Sequence, residues 1–301
     1  MVKYLCLPGA YGSAKNFQVQ LGENQRVQDS HSVLLKFKSG PFAAQCSSDG
    51  TLSYHWTQGS YSAVPPPGYE DYFGPGPLYR FIEYDGVEAF EDILEIIRNF
   101  PEGLNSEDTM RRLTGGDVAP TAFKSLRRTM DGLFKILDED PEIGGILGYS
   151  EGATVAATMI LEEKRLWEHC GRPRKLKSAI FFAGWPPVAI DQQDVRCVLA
   201  DECDDVLDVP TLHVGYRPQI HSDSSLTKQI VGCDDPYIHG AMALFNVCDE
   251  DTAELFDHGK GHTVPRDART LRELGDAVQR MVSKTTALVE GFEDTPPTAR
   301  L

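Results

Sequence analysis

The sequence predicts an α/β protein: a doubly wound, mostly parallel sheet with helices on both faces. Two observations predict it. Short apolar runs that suit buried strands alternate with longer segments of helical period, the pattern that places helices over a parallel sheet. At 143–162 an apolar run, a tight glycine-bounded turn and a small-residue helix also follow one another without interruption.

Taken in order, Tyr4-Leu5-Cys6-Leu7 reads as a first strand ending at Pro8-Gly9-Ala10-Tyr11-Gly12. Ser13 is placed to cap a helix running through Phe17 to Leu21. Residues 22–80 are polar and glycine-rich with no sustained helical period, and Pro65-Pro66-Pro67-Gly68 and Gly74-Pro75-Gly76-Pro77 mark them as loop or lid. A helix is expected over 87–100, a connection over 101–119, and a second helix over 122–137 with Phe123, Leu126, Met130, Leu133 and Ile136 toward the core. Ile143 to Leu147 is then a buried strand. In the following helix Ala153, Val155, Ala156, Ala157, Met159, Ile160 and Leu161 can pack closely on a sheet, and Glu162-Glu163-Lys164-Arg165 returns it to water. Further strands are expected at 176–183, 211–213 and 253–256, and a terminal helix at 268–282. The whole reads as one domain over 1–289 with a disordered tail at 290–301.

Composition narrows the class of function. A formal charge of −16 and a pI near 4.9 argue against nucleic acid and anionic membranes as partners. Nowhere do about 18 apolar residues run together, and the first residues enter a strand with no apolar signal segment. Seven cysteines without paired C-x-x-C spacing fit neither a disulfide framework nor a zinc site. The expectation is a soluble cytoplasmic protein that needs no metal and no organic cofactor.

The chemistry is concentrated in Gly148-Tyr149-Ser150-Glu151-Gly152. A G-x-S-x-G turn between strand and helix leaves no room for Cβ atoms at its glycines and pushes the serine hydroxyl out at the sheet's C-terminal edge. Ser150 is the candidate nucleophile. The amide of Glu151, at the start of the helix, and that of Ala10, in the loop after the first strand, are the candidate oxyanion donors.

A serine of this kind needs a base and an acid, which in a doubly wound hydrolase follow it in the order acid, then histidine. His262 lies in a glycine-flanked loop after the last strand and before the last helix; His258, close by, still belongs to the strand end. Gly232-Cys233-Asp234-Asp235-Pro236 supplies two carboxylates on one turn, Asp234 and Asp235. Asp204, Asp205 and Asp208 precede a strand and read as a solvated acidic approach.

With Leu5-Cys6-Leu7-Pro8-Gly9, GYSEG, Phe182-Ala183-Gly184-Trp185-Pro186-Pro187 and GKGHTVP in this order, residues 3–285 resemble the fungal serine hydrolase (FSH) family. The resemblance implies an α/β-hydrolase fold, with the nucleophile on Ser150, the acid on Asp235, the base on His262 and the oxyanion amides on Ala10 and Glu151. Members in polyketide gene clusters act as trans-acting thioesterases or esterases. It therefore also implies a small acyl ester or thioester substrate and a synthase carrier domain as partner; the other readings are a general carboxylesterase and a catalytically silent binding protein of the same fold. Many members begin the oxyanion loop with His-Gly, where this chain has Pro8-Gly9.

Two departures stand out. Members resembling this chain run continuously through LGPF and TLHIVG-x-x-DP, whereas residues 23–40 and 214–229 interrupt these patterns here. Removing both segments restores the patterns in frame, and their flanking residues can be encoded with splice-site and branch-site sequences, as translated introns would require; the other reading is two genuine surface loops. A real second segment would leave 230–232 to form the strand that delivers the acid.

Overall fold

In the alternation of the first strand, Leu5 and Leu7 face one way while Tyr4 and Cys6 face the other, and all four are buried. A strand apolar on both sides must be covered on both sides. The computed structural model describes residues 1–22, 41–65, 73–83, 103–114, 120–190, 195–215, 238–259 and 261–291. It shows that strand, β1 (Val2–Leu7), inside a six-stranded parallel sheet.

The other strands are β2 (Leu52–Trp56), β5 (Ile143–Tyr149), β6 (Ser178–Phe182), β9 (Thr211–Gly215) and β10 (Ala253–Asp257), in the spatial order β10-β9-β6-β5-β1-β2. Two small antiparallel hairpins accompany it, β3 (Tyr61–Ala63) with β4 (Leu78–Arg80), and β7 (Val188–Ile190) with β8 (Val195–Cys197). One face is covered by α4 (Pro120–Glu139) and α5 (Glu151–Cys170), whose Leu126, Met130, Leu133, Val155, Met159 and Ile160 meet Leu5, Leu7, Ile146 and Phe181. The opposite face is covered by α1 (Ala14–Leu21), α2 (Pro41–Ser48) and α7 (Ala268–Gly291), whose Phe17, Phe42, Leu274 and Val278 meet Tyr4, Cys6, Ile180 and Phe182. Helices on both faces of a parallel sheet establish the predicted class.

Ser13 caps α1 as expected, its Oγ accepting from the Asn16 amide at 3.1 Å, and Gly22 ends the helix in the left-handed region at φ 87. The described parts of 22–80 are more ordered than their composition suggests: they hold α2, the edge strand β2 and both strands of the first hairpin. The connection 101–119 holds α3 (Ser106–Thr114), which packs on α6 (Ile238–Asn246) around Met110 and Ala243. Glu163 does not return α5 to water. It is 3% exposed, because its carboxylate accepts from the amides of Lys175 and Leu176, both at 3.0 Å, in the connection that leads into β6. Asp205 and Asp208 are likewise partnered, by Arg165 at 2.9 Å and by both terminal nitrogens of Arg174. The helix expected over 87–100 and the tail from 292 lie outside the described residues.

Strand β9 is completed by Val214 and Gly215 themselves: Val214 pairs with Phe182 of β6 and Phe256 of β10, and Gly215 pairs with Asp257. The predicted alternative strand at 230–232 lies outside the described residues.

Candidate active site

Strand β5 ends at Tyr149 and helix α5 begins at Glu151, so one residue must turn the chain through the change. That residue is Ser150, at φ 54 and ψ −120, a conformation that costs an L-residue about 1–3 kcal/mol and persists only where its surroundings enforce it. The enforcement is visible. The Ser150 amide donates to the Phe182 carbonyl at 2.9 Å, tying the turn to β6, and its own carbonyl accepts from Ala153 at 2.9 Å. A Cβ on Gly148 would lie 2.4 Å from Ala153 Cα, and one on Gly152 would lie 2.3 Å from the Leu7 carbonyl oxygen and 2.4 Å from that of Pro8. The turn is therefore pressed against the loop that follows β1.

That loop is shaped for close approach. The Gly12 amide donates to the Gly9 carbonyl at 3.0 Å, making a turn with Ala10 and Tyr11 at its centre and Tyr11 at φ 59. A Cβ on Gly9 would lie 3.2 Å from Ser150 Cβ, which places this loop directly beside the serine. Neither the Ala10 amide nor the Glu151 amide meets an acceptor among the described residues. Two donors thus remain for a ligand at this end of the sheet.

The loop carrying His262 is brought to the same place by Tyr149. Its hydroxyl donates to the His262 carbonyl at 3.2 Å, and the two rings lie 5.4 Å apart. Val264, 5% exposed, anchors the loop in the core against α7. His258 is held otherwise: its amide donates to the Gly215 carbonyl at 3.1 Å, prolonging the β10–β9 ladder by one residue. Asp234 and Asp235 lie outside the described residues.

Sequence reading missed two neighbours, Tyr149 and the side chain of Glu151; a third, Trp185, was expected to border the site. Tyr149 is the variable residue of the G-x-S-x-G turn, and nothing in the motif gives it a role. Trp185 exchanges backbone contacts with Thr154, its amide donating to Oγ1 at 3.1 Å, and fits only because residue 240 is glycine, where a Cβ would lie 2.1 Å from the indole. The Glu151 carboxylate accepts from the amides of Phe81 at 3.0 Å and Ile82 at 3.3 Å. Burial pushes that carboxyl above the ordinary glutamate range, while the Arg80 charge and the two amides pull the other way.

Of the loops around 69–79, which the sequence leaves as the wall of an apolar acyl pocket or a cover for the sheet edge, residues 69–72 lie outside the described residues, and 73–79, with Arg80, pack on the loop after β1. Phe73 lies 4.8 Å from the Tyr11 ring, the Arg80 guanidinium sits 5.1 Å above it, and the Tyr79 amide donates to the Gly12 carbonyl at 3.2 Å. Among the described residues no group of three His, Cys, Asp or Glu side chains is arranged to hold a metal ion, and no helix is long and apolar enough to cross a membrane.

The family described as "Serine hydrolase (FSH1)" matches residues 1–274. The chain belongs to this family. It is a serine hydrolase of the esterase kind. Esterase FPY3 of Fusarium mangiferae is 28% identical over 170 residues, covering 55% of this chain and 68% of its own. Hydrolase phiM of Talaromyces stipitatus is 23% identical over 272 residues, covering 90% of this chain and 83% of its own. Among solved structures, acyl-protein thioesterase 2 of Zea mays is similar over 93% of this chain and 94% of its own, at 10% identity and a TM-score of 0.42.

Proposed function

We propose that this serine hydrolase cleaves an ester or thioester through an acyl-enzyme, with Ser150 as nucleophile, His262 as base and Asp235 as the acid that orients it. The observation that carries this reading is Ser150 itself, an L-residue held at φ 54 between two glycines that tolerate no side chain. The Ser150 oxygen attacks the acyl carbonyl as His262 takes its proton, and the carbonyl oxygen becomes an oxyanion held by the Ala10 and Glu151 amides. Collapse expels the alcohol or thiol, protonated by His262. A water, deprotonated by the same histidine, then attacks the acyl-enzyme and releases the acid. Every step is proton or acyl transfer, so the reaction as written needs neither metal nor organic cofactor.

The resemblance to members from polyketide gene clusters supports an acyl or polyketide intermediate as substrate, presented as a thioester by a carrier domain. A cytoplasmic location accords with such a partner. Labelling by a fluorophosphonate probe tests the mechanism: wild type labels, and Ser150→Ala loses both labelling and ester hydrolysis, the latter by about 10⁴-fold or more. Folded wild type that neither labels nor hydrolyses a p-nitrophenyl ester or an N-acetylcysteamine thioester refutes it. The ratio of kcat/KM on an ester and a thioester of the same acyl chain decides between a thioesterase and a general carboxylesterase.

A further inference from the structure

Residues 79–82 touch the site at both ends. At one end the Tyr79 amide donates to the carbonyl of Gly12, two residues after Ala10. At the other the Phe81 and Ile82 amides donate to the carboxylate of Glu151. A third attachment, Thr129 Oγ1 donating to the Phe81 carbonyl at 2.6 Å, fixes the middle of this strap to α4. The two segments that present free amides beside Ser150 are thus linked to each other by one short strap, which begins 67 positions after Gly12 and whose Phe81 lies 70 before Glu151, in no obvious sequence relation to either.

We propose that Glu151 is a positioning residue whose side chain, through the strap 79–82, sets the spacing between its own amide and that of Ala10, and so the geometry of the oxyanion site. This rests on the reading of those two amides as the oxyanion donors. The Ala10 loop is held from its far side by the turn closed by Gly12, by the strap and by Phe73 against the Tyr11 ring, while Gly152 presses on it from the elbow. With the carboxylate gone, two amides at the strap's end lose their acceptors, and the loop it carries is free to move away from the elbow by a fraction of an ångström. An oxyanion bound by two fixed donors is sensitive to that displacement, whereas binding of the uncharged ester is not.

The same helix supplies an internal control. Glu163, twelve residues further along α5, accepts from two consecutive amides in the same way, but these belong to the connection that leads into β6, at the opposite end of the sheet. Its removal strains the fold without reaching the site.

The test compares Glu151→Ala, Glu151→Gln and Glu163→Gln by kcat and KM on a p-nitrophenyl ester, by the affinity of a trifluoromethyl ketone that forms the tetrahedral adduct, and by thermal melting. Glu151→Ala is expected to lower kcat about 10²-fold with KM within about twofold, and to weaken the ketone in proportion. Glu151→Gln, which keeps one acceptor oxygen, falls between it and wild type. Glu163→Gln melts lower and keeps its kcat. Should Glu151→Ala fold poorly, the Gln pair decides alone: a kcat loss in Glu151→Gln and none in Glu163→Gln supports the role. Kinetic constants and ketone affinity of both Glu151 variants within twofold of wild type, or equal kcat losses in the two Gln variants, overturn it while leaving the serine mechanism intact. A wild type that is inactive and unlabelled overturns both.

Discussion

The two ends of the sheet are built on different principles. At its C-terminal edge the loops after β1, β5 and β6 each contain a non-glycine residue at positive φ, namely Tyr11, Ser150 and Ala183. These are all the non-glycine residues at positive φ among those described, and they sit on three neighbouring strands. At the N-terminal edge the backbone is relaxed and the connections are held by charge: Lys3 with Asp140, Lys175 and Arg172 with Asp138, Arg174 with Asp208. Strain of this kind survives only where packing enforces it, and it gathers where backbone amides and a nucleophile must converge. Ion pairs at the other edge hold strand starts in place and place no demand on geometry finer than a flexible side chain can satisfy.

The sharpest way to break the C-terminal arrangement is one methyl group. In Gly152→Ala the new Cβ falls 2.3 and 2.4 Å from the Leu7 and Pro8 carbonyl oxygens, so the elbow and the Ala10 loop must separate. The expected result is a kcat/KM loss of about 10²-fold or more, since a 1 Å displacement near reacting atoms suffices for that. Overpacking adds a stability loss of about 1–3 kcal/mol. Ester kinetics beside a urea melt separates the two effects. An active variant with a normal melt would mean that the loop and elbow are not tightly coupled.

The second prediction concerns the two interrupting segments. Residues 23–40 follow α1, and 214–229 begin within β9, before the chain reaches Asp235. We propose that both are translated introns, and two local features favour it. Gly22 already ends α1 in the left-handed region and Pro41 already starts α2, so joining them creates the Gly-Pro junction at which one helix ends and the next begins. In β9, Ile230 and Val231 would take the places of Val214 and Gly215; a Cβ at Gly215 meets nothing within 4 Å, so valine fits there. The doubly deleted chain is expected to fold, and to raise kcat/KM about tenfold or more by restoring a direct path from strand to Asp235. Loss of folding on deletion, or transcripts that retain both segments, would favour genuine loops.

The same division explains what could be read without coordinates. Strands β1, β5, β6 and β9 are mostly buried and lie next to glycine or proline, so their apolar runs are explicit; edge strand β10 is half-buried and is legible only through Leu255-Phe256, and G-x-S-x-G carries its own steric requirement. Strand β2 was hidden because it lies at the sheet edge: four of its five residues, Ser53 to Trp56, are only half-buried, and polar residues suffice there. Helix α3 was hidden because its residues are mostly polar and its burial depends on Met110 meeting Ala243, more than 130 positions away. The strap was illegible for the same reason, since its function is a hydrogen-bond path between distant segments and leaves no periodic trace. Glu163 was misread because a charged run on a helix normally faces water, and only the connection that leads into β6, with two amides to satisfy, makes its burial favourable.

The smallest effect, and the one that tests the other half of the comparison, is expected from Asp208→Asn. Burial works to raise the Asp208 carboxyl, yet the Arg174 guanidinium, bound through both terminal nitrogens at 2.9 and 2.6 Å, holds it below the ordinary aspartate range. A carboxyl depressed in the folded state stabilises the fold above its unfolded pKa, and that contribution is lost as pH falls through the folded value. The stability difference between wild type and Asp208→Asn should therefore be full at pH 7 and 5 and close progressively below about pH 4. Because solvent reaches the Asp208 side of the pair, its size at pH 7 should be only about 1 kcal/mol, read from urea melts. The kinetic constants should stay within twofold of wild type, since the pair joins the starts of β6 and β9 while Ser150 sits beyond their far ends. A tenfold fall in kcat with an unchanged melt would show that the N-terminal edge communicates with the nucleophile through the length of the strands, and the division between a strained functional edge and a relaxed structural one would fail.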